Sequence, residues 1–270
     1  MIRALILSLC AVGIAAAQDN KVTVPLSNPS QPMTLKVHLV NGSIEVTAGG
    51  NGQVVIESSG GRTRGPRRGD DRSAPPGMHR IDVGPEGFTA VEDHNVVTVS
   101  PGFGGFNGIS LSIQVPVNTS LELGTVNGGH VDVTGLSGDF DVQNTNGPIT
   151  LKNVSGSVSA STVNGSLTVE LDRVTPDKPM SFGTLNGKID VTLPADTKAK
   201  LRLKTGNSAI YSDFDVKMEP DTTKPVIEDN RGRNGRYRII MDRSVVGTIN
   251  GGGPEYSFHT FNGAILIHKK

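Results

Sequence analysis

The sequence predicts an all-β fold, a β-solenoid-like stack of short strands joined by Asn-Gly turns. Three observations predict it. The dipeptide Asn-Gly recurs at near-regular intervals through the second half of the chain. The residues after it alternate between apolar and polar, the period of a strand with one buried face. The composition is glycine-rich, 34 of 270 residues, with only 4% aromatics and no Trp, which fits frequent turns around an aliphatic core.

The first 17 residues form their own unit. Arg3 precedes the apolar run ALILSLCAVGIAAA, and small residues stand at Ala15 and Ala17. This pattern predicts a secretory signal peptide over 1–17, cleaved before Gln18. The run is short for a membrane span of ~20 residues, and no later apolar run is long enough to cross. Cys10 is the one cysteine and lies inside the signal, so a disulfide framework and a Cys-based zinc site are excluded. Lys plus Arg and Asp plus Glu are 26 each, which argues against a nucleic-acid partner held by phosphate contacts. No cofactor is expected.

Residues 18–108 read as an N-terminal β region. Strand-like runs fall at 22–26, 33–40, 53–58, 79–83 and 95–99, with another at 109–117. Between them lies GGRTRGPRRGDDRSAPPG (60–77), with no apolar anchor beyond one Ala, which predicts a flexible loop. Its Arg62, Arg64, Arg67, Arg68 and Arg72 are candidates to contact an anionic glycan or lipid headgroup. The plainer reading is a solvated loop partly neutralised by Asp70 and Asp71. GFGGFNG (102–108) and residues 217–235 read as further linking segments.

Residues 109–270 read as the Asn-Gly repeat domain. The copies are TVNGGHVDV (125–133), NTNGPITL (144–151), TVNGSLTV (162–169), TLNGKIDV (184–191), TINGGG (248–253) and TFNGAILI (260–267), with LVNGSIEV (39–46) upstream and TGNSAI (205–210) as a degenerate copy. Asn127, Asn146, Asn164 and Asn186 follow at steps of 19, 18 and 22 residues. The pairs Asn127-Gly128, Asn146-Gly147, Asn164-Gly165, Asn186-Gly187 and Asn262-Gly263 read as structural turns, because Asn tolerates a left-handed backbone and Gly lacks a Cβ. After them, Ile149/Leu151, Leu167/Val169 and Ile189/Val191 share one face, while Thr150, Thr168 and Asp190 point the other way. Phe140/Val142 and Val158/Ala160 alternate upstream, and Gly135, Gly138 and Gly156 mark a second turn. Even ADTKAKLRLK (195–204) alternates as a strand. Such a unit cannot bury its own apolar face, but stacked copies can. A meander of antiparallel hairpins or a sandwich is the alternative, since Asn-Gly is also a hairpin turn.

The run from Ile113 to Val169, with Val115-Pro116 ahead of it, the Thr-x-Asn-Gly copies and the terminal TFNGAILI, resembles the bacterial putative-adhesin (toastrack-type) β-repeat family, a domain of unknown function. The resemblance implies an exported protein of the cell envelope, in the periplasm, on the outer surface or in the medium. It implies no catalytic residues.

The outward positions Glu45, Asp132, Thr150, Thr168, Asp190 and Leu266 predict a mixed column rather than a carboxylate cluster. Asp139/Asp141 and Asp213/Asp215 share faces, the residue type needed for glycoside cleavage or calcium, though each pair also reads as a solvated strand face. The six His show no short ligand spacing, and His130 reads as structural. No nucleophile elbow or phosphate loop is present. The expectation is a non-enzymatic adhesin or envelope scaffold whose partner is a surface glycan, envelope component or protein. The alternative is a polysaccharide-active solenoid enzyme, a lyase or glycosidase.

Overall fold

The structure, a computed structural model, describes residues 21–59, 87–102, 108–206, 208–220, 226–230, 236–240 and 244–270, with backbone alone at 226–230 and 236–240. The signal segment, the strand expected at 79–83, the 60–77 loop and its five arginines lie outside the described residues.

In chain order the strands are β1 (Lys21–Pro25), β2 (Met33–Asn41), β3 (Ile44–Ala48), β4 (Gln53–Ser59), β5 (Phe88–Asp93), β6 (Val96–Pro101) and β7 (Ser110–Val115). Then come β8 (Thr119–Asn127), β9 (Val131–Thr134), β10 (Ser137–Asn146), β11 (Ile149–Asn164), β12 (Leu167–Val174), β13 (Met180–Asn186) and β14 (Ile189–Leu193). The last are β15 (Ala199–Thr205), β16 (Ile210–Ser212), β17 (Lys217–Met218), β18 (Val226–Asn230), β19 (Arg236–Ile240), β20 (Val245–Ile249), β21 (Glu255–Asn262) and β22 (Ile265–Lys269). The segment expected as a second loop, 217–235, thus holds β17 and β18, and β18 pairs antiparallel with β19.

The strands form two facing ladders around one core. The front ladder runs β5, β6, β2, β8, β10, β11 (second half), β13, β21, β15, β20, β17. The back ladder runs β1, β4, β7, β3, β9, β11 (first half), β12, β14, β22, β16. All pairings inside the stack are parallel. Among the described residues of the two ladders, the antiparallel strands lie toward the ends: β5, β20 and β17 in front, β4 and β1 behind. Each coil is one front strand, an Asn-Gly corner and one back strand. This is the solenoid-like stack, since a meander would pair its strands antiparallel.

The core lies between the ladders. Ile149, Leu167 and Ile189 are register partners and fully buried, while Thr150, Thr168 and Asp190 face outward. Burying each such side chain contributes about 1.5–3 kcal/mol. The core is less purely aliphatic than the composition suggests. Phe140, Phe182, Tyr256 and Phe258 are buried, and the rings of Phe182 and Phe258 stack at 4.8 Å between centroids.

Two expectations are corrected. Gly138 and Gly156 are not turn residues but partners inside β10 and β11, where a Cβ on Gly156 would stand 1.8 Å from the Gly138 carbonyl oxygen. The second corner falls at Gly135, as expected, and at the equivalent Asn153 within β11, left-handed at φ 77 and 52. TINGGG is not a stack copy: Asn250, Gly251 and Gly252, at φ 49, 90 and 86, turn the antiparallel β20 into β21. The expected link lies, at 103–107, outside the described residues, while β6 before it and β7 after it stand in register with β2 and β3.

Coil order in space differs from coil order in sequence at both ends. The coil β2/β3 sits between β6/β7 and β8/β9, so residues on either side of 108 share both ladders. The coil β21/β22 sits between β13/β14 and β15/β16.

Candidate binding surface

The motif Thr-x-Asn-Gly assigns four jobs to four residues. The Thr hydroxyl points inward and donates to a glycine carbonyl of the neighbouring coil. These bonds are Thr125 to Gly42 (3.0 Å), Thr162 to Gly147 (2.9 Å), Thr184 to Gly165 (3.0 Å) and Thr260 to Gly187 (3.0 Å). Asn144 stands where most copies have Thr, and its Nδ2 donates to the Gly129 carbonyl at 2.9 Å. Its buried Oδ1 has no hydrogen-bond partner among the described residues.

The Asn residues form an amide ladder up the stack. Asn164 donates to Asn146, Asn186 to Asn164 and Asn262 to Asn186, each at 2.8 Å. None of these asparagines has a positive φ. The expected left-handed role is therefore wrong for them: they end extended strands and are selected for the side-chain ladder. The glycines are selected for closeness. A Cβ on Gly129, Gly147, Gly165, Gly187 or Gly263 would lie 1.6–2.1 Å from the carbonyl oxygen of the glycine one coil away. Gly128 is the extra residue that shifts this column to Gly129.

The position x points outward. It brings Val40, Val126, Thr145, Val163, Leu185 and Phe261 into one column across six adjacent front strands, the apolar members being 38–51% exposed. Exposed aliphatics aligned in this way are informative where scattered ones are not. Beside this ridge, two residues earlier on each strand, runs a column that is small at Gly124, Ser161 and Gly183. Between the two columns lies a groove of about 460 Å³, walled by Val126 and Val163 and floored by Gly124, with His38, Gln143 and Ser161 along it. Sequence reasoning missed this surface. The signal was present, because period-two counting back from the buried Thr puts x outward, yet x is aliphatic in most copies.

A second, shallower cavity of about 300 Å³ lies beside Glu122, Asp139 and Asp141. Two of these carboxyls have cationic partners. Lys36, 2.7 Å from Glu122, holds that carboxyl below its ordinary range. Lys178, reaching both Asp139 oxygens at 2.8 and 2.7 Å, does the same there, helped by the Ser157 hydroxyl. On the back face, Glu45, Asp132, Thr150, Thr168, Asp190 and Leu266 are register partners in one mixed column. His268 bridges Asp190 and Asp213 at 3.4 and 3.1 Å. His130 is not a core residue: its ring is half exposed, between Ser43 and Asp132. Among the described residues no three His, Cys, Asp or Glu are grouped to hold a metal, and no helix is long and apolar enough to cross a membrane.

No protein-family model and no curated protein matches the chain. Among solved structures, the 1.95 Å crystal structure of a "putative cell adhesion protein" from Clostridium sporogenes ATCC 15579 is similar over 93% of this chain and 99% of that one, at 11% identity and a TM-score of 0.44. The toastrack-type resemblance therefore rests on the motif residues themselves.

Proposed function

We propose that this is an exported, non-catalytic interaction module that presents the front ridge to a partner on a cell surface or in the envelope. The observation that carries the reading is the in-register column from Val40 to Phe261. Its side chains contribute little to the core, yet they are held at strand spacing, ~4.8 Å apart, on a rigid ladder. A patch of this kind marks an interaction site.

The carboxylates around Asp139 favour the second reading, a polysaccharide-active enzyme. A glycosidase needs one carboxyl still protonated near neutrality, hence a raised pKa. Glu122 and Asp139 are shifted the other way, so the interaction reading stands first.

The test compares adhesion of the chain from Gln18 onward to bacterial cells and envelope fragments with that of two variants. Val163→Ser with Leu185→Ser should lose most of the binding, and Thr150→Ser with Thr168→Ser on the back face should keep it. Equal binding by both would remove the ridge from the function. Release of reducing ends from a polysaccharide, abolished by Asp139→Asn, would establish the enzyme instead.

A further inference from the structure

We propose that the groove between the ridge and the Gly124–Ser161 column binds a neutral polysaccharide lying along the stack axis. The inference rests on the interaction reading and names its ligand class.

Charge is the first argument. Among the described residues the groove is lined by no Lys, Arg, Asp or Glu, and His38 is its one titratable side chain. Of the nearest front-face charges, Lys36 pairs with Glu122 and Lys178 with Asp139, while Asp141 accepts a hydrogen bond from the groove's own Gln143. An acidic polymer seated here would be desolvated with no cation in the lining and Asp141 at the rim, and a basic one would meet a carboxylate at the rim but none inside. An uncharged ligand has no such cost.

The second argument is the mixture of surfaces. Val126 and Val163 offer an apolar wall, while Gln143, Thr145 and Ser161 carry amide and hydroxyl groups along the same groove. A pyranose ring has the matching division, a C–H face and a hydroxyl rim. A few polar groups set in an apolar pocket of this volume are what fixes the orientation of a small ring.

The third argument separates a glycan from a peptide. The groove crosses the strands, whose backbone groups are already paired with the neighbouring coils. An extended peptide would find no free sheet edge, and its buried amides would lose water without replacement. A glycan keeps its outer hydroxyls in solvent. Beyond the groove the surface continues through Gly183 and His259 beside Leu185 and Phe261. A polymer of repeating units can use that continuation, whereas a single small ligand cannot.

The experiment is affinity electrophoresis of the chain from Gln18 onward in gels containing a linear β-glucan, a mannan, a galactan or, for contrast, a polyuronate. Ser161→Trp fills the groove from an exposed position. Thr168→Trp is the matched change on the back face, and far-ultraviolet circular dichroism checks that both remain folded. The proposal expects retardation by at least one neutral polymer, insensitive to salt. It expects Ser161→Trp to weaken that binding about tenfold or more, with Thr168→Trp unchanged. Retardation by the polyuronate alone, abolished by salt, overturns it. So does equal retardation of both Trp variants. If no neutral polymer binds while ridge-dependent adhesion to cells persists, the glycan assignment falls and the interaction reading survives. If adhesion is also indifferent to the ridge, both fall.

Discussion

The central coils and the two terminal coils are built from the same motif but arrive in the stack by different routes. From β8 to β14 each coil lies on the one made just before it, so neighbours in space are neighbours in sequence. The coils β2/β3 and β21/β22 are instead inserted between coils separated from them by longer stretches of chain. Both make the same contacts as the central coils. Thr260 donates to Gly187, Asn262 to Asn186, and Phe258 stacks on Phe182. The comparison teaches that the motif fixes register between any two coils but does not fix which coils become neighbours.

Deletions should separate the two regions most strongly. Removing 147–164 joins Asn146 to Gly165 and takes out one 18-residue step, leaving a shorter stack in register. Removing 255–270 leaves β13/β14 and β15/β16 without the coil that joins them. The first variant should unfold cooperatively in urea with a smaller m-value. The second should lose cooperative unfolding of its C-terminal part. Equal behaviour would mean that insertion carries no structural weight.

Point substitutions sharpen the comparison. Phe258→Ala in the inserted coil should cost about 3–5 kcal/mol and Leu167→Ala in a central coil about 2–5. Thr168→Ala, on the outer face, should stay within about 0.5. Chemical denaturation measures all three. If Thr168→Ala were the most damaging, the alternation would be one residue out of register.

Asn144→Thr should stabilise. It keeps a donor for the Gly129 carbonyl and removes the buried Oδ1 that lacks a partner, a gain of about 1 kcal/mol. A loss of stability would show that Oδ1 has a partner that Thr cannot serve.

The smallest effect concerns pH. Asp139 is held below the ordinary carboxylate range chiefly by Lys178, then by Ser157. A depressed carboxyl contributes stability above its unfolded pKa, ~3.9 for Asp, and loses it as pH falls through the folded value. Both partners are about half exposed, so the contribution is under about 1 kcal/mol. Lys178→Ala should raise the Asp139 midpoint in an NMR titration and leave stability at neutral pH nearly unchanged. An unmoved midpoint would mean that the pair is absent in solution.

What the sequence made legible follows from local physics. Alternation identified the buried faces of Ile149, Leu167 and Ile189, and the recurrence of Asn-Gly located the corners. The reason for Asn was misread, because an isolated Asn-Gly speaks only for its own backbone, whereas Asn164 acts through Asn146 and Asn186 in other coils. The left-handed reading holds at Asn250, the copy that does not stack. Insertion of β21/β22 was not legible, since all copies carry the same register signal. The ridge was missed for a related reason: Val163 and Leu185 look like core residues until the buried Thr162 and Thr184 fix the parity.

The most direct test of the inserted coil is a disulfide across it. Ser181 on β13 and Ser257 on β21 are register partners, and Arg202 on β15 is the partner of Ser257 on the far side. Adjacent strands lie ~4.8 Å apart and alternate ones about twice that, while a disulfide needs Cα atoms within ~7 Å. The chain from Gln18 onward carries no other cysteine. Ser181→Cys with Ser257→Cys should oxidise to an internal disulfide in the folded protein, and Ser181→Cys with Arg202→Cys should not. The reverse result would place β15 directly against β13 and contradict the insertion.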